Sequence, residues 1–93
     1  MTHPIHMTIP TVGTVYKHYK GNLYKIRAIA RDATTLEMFV VYEGLYDCEH
    51  FGSHPVWIRG LNEFMEHIQK DGVEIPRFMF LAESPSLPTQ SLV

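Results

Sequence analysis

The chain holds one cysteine, Cys48, in 93 residues. It cannot form an internal disulfide, so the fold must rest on packing alone. No apolar run approaches the ~20 residues a membrane-spanning helix needs. The start, Met1-Thr2-His3-Pro4-Ile5-His6, has neither the charged beginning nor the apolar stretch of a secretory signal. No membrane partner is expected, and the cytoplasm of a bacterium-like cell is the expected compartment. Charged residues make up only 19% of the chain and the net charge is −2, which argues against bulk electrostatic attraction to nucleic acid. There is no Gly-rich phosphate loop, nucleotide fingerprint or zinc ribbon.

Positions 1–31 lack any Asp or Glu. All five basic residues of that segment lie between Val15 and Arg31, whereas the rest of the chain carries three basic and ten acidic residues. The molecule is thus electrically lopsided, about +5 in front and −7 behind, and the basic stretch Val15-Tyr16-Lys17-His18-Tyr19-Lys20-Gly21 interleaves cations with rings. Such interleaving suits a surface that stacks planar groups and holds anions. Aromatic side chains are also simply good strand residues, and lysines simply solvate an outer face, which is the commoner role of any one of them.

The pattern predicts one small domain over residues 13–81, with flexible ends at 1–12 and 82–93. Thr14 to Tyr19 and Leu23 to Arg31 read as strands around a Lys20-Gly21-Asn22 turn, and Thr35 to Glu43 as a third. A three-residue turn at Asp32-Ala33-Thr34 would pair Ala30 with Leu36, Ala28 with Met38, Ile26 with Val40 and Tyr24 with Tyr42, sending Tyr24, Ile26, Ala28 and Ala30 to the core. Gly44 to Pro55 reads as a loop. Val56 to Arg59 is a short strand, and Leu61, Phe64, Met65 and Ile68 form the apolar stripe of a helix over 61–70, stopped by Asp71-Gly72. Arg77 to Leu81 is the last strand. The fold class is therefore α+β, mainly β: an antiparallel, SH3-like, partly open barrel of about five strands with one helix in the second half, an open sheet with the helix packed on one face being the alternative.

Candidate binding residues are Tyr16, His18, Tyr19 and Lys20 in the first strand, Trp57 and Arg59 two apart on one strand face, and Arg77. For Trp57 and Arg59 a core-edge ring covered by the arginine stem is an equal reading. Cys48, His50 and His54 offer zinc-type ligands, but Gly52 and Pro55 deny them the helix that would align them, so no metal site is expected. No catalytic residue or cofactor stands out.

Taken together, Tyr16-Lys17-His18-Tyr19-Lys20-Gly21, Thr35-Leu36-Glu37, Val40-Val41-Tyr42, Leu45-Tyr46, Trp57-Ile58-Arg59, Phe64 and Pro76-Arg77-Phe78 resemble a small bacterial family, a domain of unknown function (DUF1653), over about residues 13–81. The resemblance implies a compact bacterial domain and brings no activity with it. The chain departs from the family pattern at Asp32-Ala33-Thr34-Thr35, at Gly60 and in a longer Asp47–Pro55 loop.

These readings favour a binding module with an aromatic and basic groove for an anionic or planar ligand or a peptide. Nucleic acid is a narrower version of that partner, confined to the first hairpin. The alternatives are a small enzyme using His18 with Arg59 or Arg77, and a self-associating protein joined through Ile29, Phe39 and Val41.

Overall fold

The computed structural model describes residues 9–83; of the expected flexible ends, 1–8 and 84–93 lie outside the described residues. Five strands build one antiparallel sheet in the order β6-β3-β2-β1-β9, and the sheet stays open instead of closing into a barrel. Its members are β1 (Val15–His18), β2 (Leu23–Arg31), β3 (Met38–Gly44), β6 (Val56–Gly60) and β9 (Phe78–Ala82). Two small hairpins hang from it, β4 (Asp47–Cys48) with β5 (Gly52–Ser53), and β7 (His67–Lys70) with β8 (Val73–Pro76). One short helix, α1 (Leu61–Phe64), follows β6 directly.

The first hairpin forms as its sequence suggests. Gly21 adopts φ +114°, open to glycine and strained for other residues, and its N–H donates to the His18 carbonyl at 2.7 Å. The second hairpin corrects the expected register. Ala30 faces Phe39 and Ile26 faces Tyr42, so the pairing slips by three residues near the turn and by two farther along. Two local features cause this. Asp32 accepts the backbone N–H groups of Thr34 and Thr35 on Oδ1, at 2.8 and 3.0 Å, and so organises a six-residue loop up to Glu37 in place of a tight turn. These two N–H groups, Thr35 first, hold the Asp32 carboxyl below its usual value. A β-bulge at Arg27 then inserts an extra residue into β2. Beyond the bulge the alternation inverts: Ile29 packs on the core, while Ala30 is exposed.

The helix is the other correction. Only Leu61–Phe64 is helical, and Ile68 of the expected stripe belongs to β7, opposite Ile75. Asp71-Gly72 does not end a helix. It is the two-residue loop of a hairpin, with φ +54° at Asp71 and +80° at Gly72, the left-handed pair that matches the twist of antiparallel strands. The expected loop Gly44–Pro55 contains the β4–β5 hairpin.

The core is aromatic. Tyr16, Ile26, Val40, Tyr42, Phe64 and Phe78 are buried together, with Tyr24, Ile29, Trp57 and Leu61 packed against them. Phe64, 1% exposed, is delivered by the helical turn onto Phe78, and the two rings stack at 4.0 Å. Tyr16 and Tyr42 meet Phe64 edge-on, each at 5.4 Å. These pairs are the favoured geometries of ring quadrupoles.

Candidate functional site

At one end of the inner sheet face the packing leaves a cavity of about 200 Å³, lined by His18, Tyr24, Tyr42, Tyr46, Trp57, Arg59 and Phe78. Five strands supply the walls. His18 ends β1 opposite Phe78 of β9, their rings 4.8 Å apart. Tyr24 on β2 and Tyr42 on β3 meet edge-on at 5.3 Å. On β6, Trp57 and Arg59 alternate onto the same face, Trp57 opposite Tyr42 and Arg59 opposite Val40.

Tyr46 reaches the cavity because of Gly44. A Cβ at position 44 would lie 2.5 Å from the Tyr46 ring, so only glycine lets the ring fold back over the strand. The Trp57 indole N–H donates to the Tyr46 hydroxyl at 3.1 Å, and the Tyr24 and Tyr46 hydroxyls share a hydrogen bond at 3.2 Å. Burial, with the Tyr46 hydroxyl beside it, raises the Tyr24 phenol well above its ordinary value. The wall is thus cross-linked by its own polar edges.

The opposite wall is cationic. Arg59 donates from Nε to the Tyr42 hydroxyl at 3.0 Å and from Nη1 to Glu63 at 3.0 Å, with its guanidinium 5.6 Å above the Phe78 ring. Burial works against its charge, and the Tyr42 hydroxyl and Glu63 more than offset it. Its Nη2 has no protein acceptor among the described residues. His18 accepts the Lys20 backbone N–H on Nδ1 at 3.1 Å, so the neutral ring carries its proton on Nε2. Burial first, then Arg59, Lys20 and Arg77, push the imidazole below its ordinary value. No carboxylate lines the cavity. Hydrogen-bond donors and ring faces make its surface.

A second cavity of about 220 Å³ lies on the other side of His18, between Lys17, Tyr19, Ile75, Pro76 and Met79. The Tyr19 and His18 rings lie 4.5 Å apart, and the Lys20 ammonium sits 5.8 Å from the Tyr19 ring. A third space of about 280 Å³, beside Glu37, Met38, Leu61 and Asn62, offers neither a ring nor a base.

The family profile described as "Protein of unknown function (DUF1653)" matches residues 14–80. The chain belongs to the DUF1653 family. The crystal structure of a DUF1653 protein from Bordetella bronchiseptica is similar to it, with a TM-score of 0.66 and 32% identity over 77% of this chain and 88% of that one. No curated protein matches the chain. The DUF1653 match runs from Thr14 to Phe80 and so spans every residue lining the aromatic cavity.

Within this DUF1653 domain, the seven expected site residues separate. His18, Trp57 and Arg59 share the aromatic cavity, and Tyr19 lines the second one. Lys20 is exposed beside Tyr19. Tyr16 is a core residue, 6% exposed, against Phe64 and Phe80. Arg77 ties the turn after α1 to β9, donating to the Glu63 carbonyl at 3.2 Å and to the Glu66 carboxylate at 3.0 Å. Tyr24, Tyr42, Tyr46 and Phe78 complete the cavity and were not expected in a site. Their signal was present: a tyrosine on the core-facing side of a strand must bring its hydroxyl to a polar partner, and Tyr24 and Tyr42, met by Tyr46 from the bend after β3, require a polar space.

On the other face, Glu43 accepts from Arg27 at 3.1 Å and pairs with His54 Nδ1 at 2.8 Å. The hydrogen bond to His54 is the largest influence holding the Glu43 carboxyl below its usual value.

Among the described residues no helix is long and apolar enough to cross a membrane.

Proposed function

We propose that this DUF1653 domain is a bacterial, cytoplasmic binding module, an opened relative of SH3-like barrels, and that its aromatic cavity takes a planar ligand bearing an anionic or strongly accepting edge. The observation that carries this reading is the composition of one cavity: rings from five strands, Arg59 with an unspent Nη2, His18 with an unspent Nε2–H, and no carboxylate. Aromatic cages often take cations over their ring faces, but here Arg59 already occupies the face of Phe78. A second cation would meet like charge in a site of reduced dielectric. A planar anion meets donors and ring faces together.

Binding is favoured over catalysis by the same composition. A general acid–base site would pair His18 with an orienting carboxylate, but His18 Nδ1 is held by a backbone N–H and no carboxylate shares the cavity.

Trp57 is the chain's one tryptophan and lines the cavity, so its emission reports occupancy directly. Titration with benzoate is expected to change that emission saturably, benzylamine is expected to leave it unchanged, and Arg59→Met is expected to abolish the benzoate response. Equal responses to the two ligands, or no saturable response to benzoate, would sink the reading.

A further inference from the structure

The aromatic cavity is too small for a whole ligand of ordinary size. At about 200 Å³ it falls below the roughly 300–1,000 Å³ of sites that enclose a drug-sized molecule. It suits one ring, and the rest of the ligand must leave it. His18 is the one residue that lines both this cavity and the second one. Beyond His18 the surface changes character. Lys17 and Tyr19 line the second cavity, and the Lys20 ammonium lies over the Tyr19 ring. Unlike Arg59 and Arg77, which are paired with Glu63 and Glu66, Lys17 and Lys20 have no carboxylate partner among the described residues. Beside His18, they are cations free to meet an anion. Each side of His18 therefore offers one half of a site, rings with donors on one side and unpaired ammonium groups on the other.

We propose that the two cavities form one bipartite site for a pyrimidine nucleotide, with the base in the aromatic cavity and the phosphate at Lys17 and Lys20. The base is matched by its chemistry. A pyrimidine with carbonyl groups is a single planar ring whose acceptors face the Arg59 Nη2 and the Tyr42 hydroxyl. That hydroxyl accepts from Arg59 Nε and keeps its own hydrogen to donate. The phosphate is matched by charge, because the ammonium groups act as mobile point charges on an exposed surface. His18, between them, presents Nε2–H to the sugar-phosphate link. This inference rests on the binding role proposed above for the aromatic cavity. The same chemistry occurs in a free mononucleotide and at the end of a single strand.

Calorimetry on the full chain separates these cases. Uridine monophosphate is expected to bind at least ten-fold more tightly than uridine. The double variant Lys17→Ala/Lys20→Ala, altered only at exposed side chains, should bring uridine monophosphate down to the affinity of uridine without weakening uridine itself. Arg59→Met should weaken both, and Arg59→Lys, which retains the charge if the larger change unfolds the protein, should weaken both less. A free nucleotide is the source if short oligouridylate carrying a terminal phosphate binds more weakly than the monophosphate. A strand end is the source if it binds as tightly or more so. Equal affinity for uridine and its monophosphate, or a double variant indistinguishable from the parent, overturns the bipartite site. If benzoate binds while neither uridine nor its monophosphate does, the nucleotide assignment alone fails. If benzoate fails as well, the cavity's binding role fails with it.

Discussion

The aromatic cluster has two halves built from the same residue types. Around Phe64 the rings close on each other: Phe64 stacks on Phe78, Tyr16 and Tyr42 stand edge-on against it, and Phe64 is left 1% exposed. Around Trp57 the rings also meet edge-on, Tyr24 against Tyr42 at 5.3 Å, but Tyr24, Tyr46 and Arg59 tie their polar edges to neighbouring hydroxyls and line an open space. Tyr42 and Phe78 belong to both halves. What separates core from site is therefore not the kind of side chain. It is whether something packs on the second side of each ring. Phe64 supplies that second side at one end, and at the other an open space remains.

The sharpest way to break this division is to cut into each half and compare. Phe64→Ala removes the one ring that closes the core and is expected to cost about 3–5 kcal/mol of stability, read by urea unfolding. Trp57→Ala is expected to cost less, about 1–2 kcal/mol, because the indole is only half-buried, yet to abolish benzoate binding by calorimetry. If Trp57→Ala proves the more destabilising change, the two halves are one core and the division fails.

Gly44→Ala acts between the halves. The new methyl group cannot coexist with the Tyr46 ring in its present place, so Tyr46 must leave the wall and release the Trp57 N–H. A changed Trp57 emission maximum and weaker benzoate binding are expected, with a stability loss of about 1 kcal/mol from the broken hydrogen bond. Unaltered emission would show that Tyr46 is not held as described.

His18 sharpens the comparison through pH. Its folded-state pKa lies below the ordinary 6.5, first through burial and then through Arg59, Lys20 and Arg77. As pH falls below the ordinary value the unfolded chain takes up the proton first, so stability is complete above that value and drains away as pH descends toward the folded pKa. His18→Asn should flatten this part of the stability–pH curve. A slope unchanged by the substitution would assign it to other groups.

The smallest effect is expected on the outer face. Arg27→Ala removes an ion pair whose arginine side chain is 52% exposed, and such pairs are worth about 0–1 kcal/mol. Neither benzoate binding nor Trp57 emission should respond, which makes it the control for the others.

Much of the main sheet was legible because its evidence is local. The alternation of apolar and polar residues, and Gly21 at a turn, mark β1, β2, β3 and β6 without knowledge of their neighbours. The register of β2 against β3 was not legible. It depends on the Asp32 side chain capturing two N–H groups and on a bulge at Arg27, and neither leaves a period in the sequence. The hairpin over His67–Pro76 was legible and was misread: Leu61, Phe64, Met65 and Ile68 mimic a helical stripe, while Asp71-Gly72 between two alternating runs is the stronger hairpin signal. Of the site, Trp57 and Arg59 could be placed on one face by strand alternation. That His18, from the far end of another strand, joins them could not.

The sequence by itself determined the sheet's components, the lopsided charge and the supply of aromatic residues facing inward, because each follows from neighbours a few positions apart. Only the tertiary structure decided which rings became core and which became a wall. That choice turned on where one helical turn delivers Phe64 and on how closely Tyr46 can approach Gly44. Both depend on contacts between residues of different elements, whose distances no local pattern encodes.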